Sequence, residues 1–433
     1  MLGSMNGSRS SGAGWTRRII IAMAACVLAF CWGFLAHRNE IFPYSIVRDL
    51  AVLTGLGDPD LPEAQGEGVK EFEPRLKALS VLDSLPYIDA LPTERPQDRG
   101  VVQYDRERAS EGLNFYNMTR KSRAILIDMS GQVVHEWHYS TGGRGAWHHA
   151  ELLSDGGILI VVQDASLMRL DRDSNLVWVH EARAHHDLWV GVDGTIVFLG
   201  REAVVFTEIH PTIPVTDDRV IVLNAEGRRQ DEFSLVKVML ASPYAFLLSS
   251  IAEREFADEV TEIDLLHANH IEVFDGDLAD RSPLYAAGNF LVSMKNINAI
   301  AILKRDSHEV LWVWGPNNVV LQHHPVLQTD GSILLFDNGT EFSRVLELDP
   351  LSRHVTWSYE DGENFFSFWG GSSQRLPNGN TLITETARGQ VFEVTSNGEV
   401  VWRFLNPDVD DKNRRWNIWR MTRYPRSNLT FLQ

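Results

Sequence analysis

Six times between residues 126 and 404 the chain repeats one short pattern. An apolar run meets a polar turn built on Asp, Asn, Ser or Gly, and a second apolar run ends in an aromatic residue. The copies read LIDMSGQVVHEW, LDRDSNLVWVH, LNAEGRRQDEF, LKRDSHEVLWVW, LDPLSRHVTWSY and VTSNGEVVWRF. Each predicts a β-hairpin, because the turn residues favour tight reversal and the flanking runs favour strands. Taking Asp128, Asp171, Asn224, Lys304, Asp349 and Thr395 as markers, successive steps are 43, 53, 80, 45 and 46 residues. A unit of this size cannot cover both faces of its own small sheet, so it must stack against its neighbours. With a second hairpin in each unit, the expected fold is all-β: a six-bladed β-propeller, seven blades being the alternative count. The long step predicts an insertion at about 233–264, apolar enough to form a helix over one face.

The second hairpin of each unit opens on histidine. It reads HHAELLSDGGILIVV from His148, HHDLWVGVDGTIVFL from His185, HANHIEVF from His267 and HHPVLQTDGSILLF from His323. In the fifth unit it reads SSQRLPNGNTLIT from Ser372. The sixth unit is expected to close with residues 417–425 pairing beside the strand near 113–117, which removes the exposed edges of an open sheet. If the first strand of each such hairpin is innermost, symmetry carries His148, His185, His267, His323 and Ser372 to one mouth of the central channel. A single histidine at a strand start reads as packing. Doublets recurring in register point instead to a clustered imidazole site.

Charge and cysteine usage narrow the partners. Acidic residues number 58 and basic residues 40, a formal net charge of −18, which disfavours nucleic acid as a partner. Both cysteines, Cys26 and Cys31, fall within the apolar segment 19–36, so the remainder has no thiol chemistry. That segment follows Arg17 and Arg18 and reads as a transmembrane anchor with residues 1–18 cytoplasmic, a cleaved signal peptide being the rival. In a bacterium the rest of the chain would then be periplasmic. Residues 37–111 read as a spacer with a short helix, and 112–433 as the propeller. No phosphate-binding glycine loop or serine nucleophile motif is present, and no cofactor is expected.

Several stretches together resemble the bacterial arylsulfotransferase family. They are GVVQYDRERASEGLNFYN, HHDL, LLHANHI, LVSMKNINAI, QHHPVL, LLFDNG, LPNGNTLI and the closing RYP, in that order over roughly residues 100–425. The resemblance implies a periplasmic six-bladed propeller that moves a sulfuryl group from an aryl sulfate to a phenolic acceptor without a nucleotide donor. It implies His323 as the nucleophile that becomes sulfohistidine, and His267 as the residue assisting departure of the leaving group. His185 or His186 would bind the sulfuryl oxygens, the choice between the rings staying open. Lys295 stands where the family carries arginine, supplying the charge without the planar two-pronged donor. Further substrate-binding candidates in the cluster are His148, His149, His270, His324 and Asn269. Residues 37–110 read as too short and irregular for the additional N-terminal β domain of the family's well-known members, and their cysteine pair has no counterpart outside the segment 19–36.

Two other readings use the same residues. Three histidines with Asp187 or Asp264 could hold a divalent metal, although no H-x-H or H-x-x-x-H spacing supports it. A propeller can also be a non-catalytic platform for a protein or polysaccharide. The loop DGENFFSFWGG at 361–371 is a candidate aromatic wall at the channel mouth, with core packing as its plainer role.

Overall fold

The computed structural model describes residues 89–248 and 261–433. The proposed anchor at 19–36 and most of the proposed spacer lie outside the described residues. Among those described, no helix is long and apolar enough to cross a membrane.

Six antiparallel sheets of four or five strands follow one another around an axis. Blade two contains Trp147–Leu152, Ile158–Val162, Ser166–Leu170 and Leu176–Glu181, and blade three contains Ala184–Val190, Ile196–Val204, Val215–Leu223 and Arg229–Ser234. Blade four begins at Ala268–Val273 and ends at Val310–Trp314; blade five runs from His323–Leu327 to His354–Glu360. Blade six begins at Ser372–Arg375 and runs to Val400–Leu405. In blade one the last strand of the chain, Met421–Tyr424, pairs with Leu113–Asn117, followed by Arg123–Ile127 and Val133–His138. The ring therefore closes as the sequence predicts, with both ends of the propeller in one sheet.

Burial follows position in the blade. Second and third strands such as Ile158–Val162 and Ala299–Leu303 are buried along their whole length, because both faces meet neighbouring sheets. The outermost strand Leu176–Glu181 is mostly exposed. The predicted turns are held by aspartate: Asp128 Oδ1 accepts from the N–H groups of Ser130 (2.8 Å) and Gln132 (2.9 Å), and Asp171 does the same for Asp173 and Asn175. The terminal tryptophans join blades. Trp137 Nε1 donates to Gly156 O (2.9 Å), Trp357 Nε1 to Ser396 O (2.9 Å) and Trp402 Nε1 to Met129 O (3.0 Å), each reaching a turn of the next blade.

Two strands precede the expected propeller start at 112. Gly100–Tyr104 adds a fifth strand outside Val400–Leu405, and Ala90–Pro92 pairs with Arg414–Trp416. They are short and flanked by prolines and charges, and their partners lie some three hundred residues downstream, so local pattern does not reveal them. In the predicted insertion, Ser234 caps a short helix, Leu235–Leu240. Its Leu235, Val236 and Met239 pack on the cores of blades three and four.

Candidate functional site

The inner strands of consecutive blades lie side by side around the channel. Most enter with a break in register: between Trp147 and His149, Ala184 and Leu188, Ala268 and His270, and His323 and Val326. A regular strand sends successive side chains to opposite faces. The extra residue of a bulge breaks that alternation, so adjacent residues can both serve the axis. His186, His267 and His324 adopt left-handed backbone (φ +53°, +51° and +49°), a conformation uncommon for residues other than glycine. The doublets are thus tied to bulges.

Two tiers result. The first holds His148, His186 and His267, with ring centroids 4.8 Å apart for both His148–His186 and His186–His267. Trp419, from the approach to the closing strand, completes it at 4.1 Å from His148. Its backbone N–H donates to Asn117 O (3.0 Å), and its carbonyl accepts from Thr386 Oγ1 (2.9 Å). Trp369 of the 361–371 loop stacks on Trp419 at 6.1 Å in a small buried cluster, and Phe365 of the same loop is core. The second tier, a step further along each strand, holds His149, Asp187, His270, His324 and Arg420. Arg420 Nη1 lies 3.0 Å from Asp187 Oδ1, His270 Nδ1 2.5 Å from Asp187 Oδ2, and the His270 and His324 rings 5.0 Å apart.

The structure resolves which ring of the 185–186 doublet is axial. His186 meets His148 and His267, whereas His185 sits behind it. His185 Nδ1 is 2.9 Å from His186 Nδ1, and its Nε2 reaches Gly200 O and Asp218 Oδ1, both at 3.2 Å. Asn269 Nδ2 donates to Gln322 O (2.8 Å) and bridges blades four and five.

His323 is the most completely oriented ring. Its Nδ1 contacts Leu321 O (2.9 Å) and Asn338 Oδ1 (2.8 Å). Asn338 Nδ2 donates to Ser367 O and Gly370 O, both at 2.7 Å, which fixes the amide with its oxygen toward the ring. Two acceptors on Nδ1 require a proton there and leave the lone pair on Nε2. Burial pushes the His323 pKa down to about 3; the Asn338 and Leu321 contacts oppose this, while Lys295 and His267 lower it further. The ring is neutral at physiological pH. Burial likewise lowers His148 and His186 well below the usual imidazole range.

His267 Nδ1 is 2.5 Å from Asp264 Oδ2. Burial opposes ionisation of Asp264, but His267, with Lys295 and Arg201, outweighs it and keeps the carboxyl ionised. Lys295 opens the short 3-10 turn Lys295–Ile297, its backbone N–H donating to His267 O (3.2 Å), so cation and imidazole enter the site together. Asp187 behaves like Asp264: burial raises its pKa, and Arg420, His270 and His149 bring it well below the carboxylate range. Among the described residues, no three His, Asp or Glu side chains converge with the geometry of a metal site.

Trp419 and Arg420 were not singled out by sequence reasoning. The signal was positional, since they stand at the strand start of the closing blade, where the other units carry histidines.

The fold and its axial centre define a six-bladed propeller with imidazoles gathered from four blades. Residues 149–407 match the family described as arylsulfotransferase (ASST), and the chain belongs to that family. No curated protein matches it. Among solved structures it is similar to a protein of unknown function from Bacteroides caccae, with a TM-score of 0.50 and 14% identity over 72% of this chain and 99% of that one. It also matches a streptogramin B lyase, with a TM-score of 0.44 and 12% identity over 78% of this chain and 98% of the other. At such identity the likeness concerns the fold alone.

Proposed function

We propose that the protein transfers a sulfuryl group from an aryl sulfate to a phenolic acceptor through a sulfohistidine on His323. The observation that carries this reading is the pair of acceptors, Asn338 and Leu321, on His323 Nδ1, which holds the neutral ring as Nδ1–H with the Nε2 lone pair left to react. In the first step Nε2 attacks sulfur and the S–O bond to the aryl oxygen breaks. The departing phenolate takes a proton from His267 and leaves as the phenol. The sulfonated imidazole carries positive charge, which the two acceptors at Nδ1 stabilise. In the second step an acceptor phenol gives its proton to His267, its oxygen attacks sulfur, and the S–N bond breaks.

Asp264 occupies His267 Nδ1, so Nε2 is the atom available for these proton exchanges. Lys295 supplies positive charge for the sulfuryl oxygens, with His186 as their further partner. Trp419 and Trp369 offer flat apolar surface suited to the aryl ring. The segment 19–36 would tether the propeller on the periplasmic side of the inner membrane.

Intact-mass measurement after incubation with 4-nitrophenyl sulfate, without acceptor, tests the proposal. The expected product is an adduct of one SO3 group mapped to His323, absent in His323→Ala and discharged by added phenol. A protein that stays unmodified and releases no 4-nitrophenol would refute the reading and leave the propeller as a binding platform.

A further inference from the structure

The proposed chemistry uses the first tier and leaves the second unassigned. At the opposite ends of the inner strands lies a cavity of about 980 Å³. His270, His324 and Arg420 line it on the polar side, and Leu188 and Trp189 on the apolar side. Neither His323, His267, His186 nor Lys295 lines it.

Its electrostatics differ from those of the first tier. The one central cation, Arg420, is already paired with buried Asp187. Burial lowers the pKa of His270, outweighing Asp187, and that of His324 falls well below its usual value for the same reason. The floor is thus close to neutral, with polar atoms still to satisfy. His270 Nδ1 lies 2.5 Å from the ionised Asp187, which leaves the lone pair on Nε2; among the described residues neither that Nε2 nor His324 Nδ1 has a hydrogen-bond partner. His270 is only 5% exposed, so the mismatch is buried. Buried polar atoms without partners are costly, and a water, an ion or a ligand can complete their bonding.

A hydroxyl group meets both needs: it donates to His270 Nε2 and accepts from His324 in its Nδ1–H tautomer. An anion does not, because it would bring a second negative charge beside Asp187, and the lining arginines Arg420, Arg169, Arg375 and Arg423 are each already paired with a carboxylate. Glu272, half-buried in the wall, is held up to about 8 by burial and adds a neutral donor rather than a charge. The apolar side suits a ring or short alkyl body.

We infer that this mouth is a separate binding pocket for an uncharged hydroxyaromatic molecule, gripped at its hydroxyl by His270 and His324 and at its ring by Trp189 and Leu188. The pocket does not depend on the sulfuryl-transfer reading, since its residues belong to the other tier.

The test is calorimetric titration of the full chain carrying His323→Ala, which cannot turn over an ester, with 4-ethylphenol and with 4-ethylphenyl sulfate. The phenol is expected to bind, and the sulfate ester to bind this pocket at least tenfold more weakly. His270→Phe and His324→Asn should each weaken phenol binding about tenfold. Asparagine tolerates the left-handed backbone at 324, so that variant keeps the strand intact. The unsubstituted chain should show the same phenol affinity at this pocket, any further phenol site it shows being the acceptor site of the proposed reaction. Absence of phenol binding, or unchanged affinity in both second-tier variants, would overturn the inference. An ester that binds as tightly as the phenol and is weakened equally by the second-tier variants would overturn its chemical class.

Discussion

Asn338 sets the state of His323 without touching the reacting atoms. Its amide is committed to two carbonyls on one side and one ring nitrogen on the other. Asn338→Ala should lower transfer by roughly 10²-fold, because the ring loses the contact that selects its tautomer. Nitrogen NMR of the His323 ring should then show a mixture of tautomers in place of Nδ1–H alone. Lys295 contributes charge with no fork, so Lys295→Met should cost roughly 10²-fold in kcat/KM, the scale of one lost oxyanion donor. Lys295→Arg should retain activity and lower KM for the aryl sulfate. Equal activity in the methionine variant would remove Lys295 from the site.

At the scale of the element, the glycine pair before the inner strand of blade six supports His323 from behind. Gly370 offers its carbonyl to Asn338, and Gly371 lies at φ +107°, where an added Cβ would come within 2.5 Å of the Phe336 ring. Gly371→Ala should therefore destabilise the fold by about 1–3 kcal/mol in chemical denaturation and reduce transfer as well. The hairpins were legible in the sequence because turn residues and aromatic strand ends are local signals. The bulges were not, because register depends on the partner strand. That is why HHDL left two candidate rings while the folded strand makes His186 axial and sends His185 to Asp218. The division into two tiers escaped for the same reason: His149, His270 and His324 were candidates within one undivided cluster, and only the bulges separate them from His148, His186 and His267.

For the whole molecule, buried neutral histidines tie stability to pH. His148, His186, His270, His323 and His324 all have folded pKa values below the 6.5 of an unperturbed ring. Below pH 6.5 the unfolded chain binds more protons than the folded one, so stability is full above that value and is lost as pH falls. For His323 the window runs from 6.5 down to about 3 and costs about 1.4 kcal/mol per pH unit. Glu272, raised from 4.5 to about 8, acts in the opposite sense across that range, and so do Asp89, Asp217, Asp337 and Glu385, each raised by burial. The thermal midpoint should fall steadily between pH 7 and pH 5; a flat profile would mean that the rings titrate freely in the folded state.

The closing strand has a consequence in time. Blade one joins Leu113–Asn117 to Met421–Tyr424, and that last stretch of chain also delivers Trp419 and Arg420 to the axis. During synthesis the ribosome has made every histidine long before it releases the residues that lock the circle. A nascent or C-terminally clipped chain therefore owns all the imidazoles yet lacks their enclosure, and reactivity should switch on only with completion.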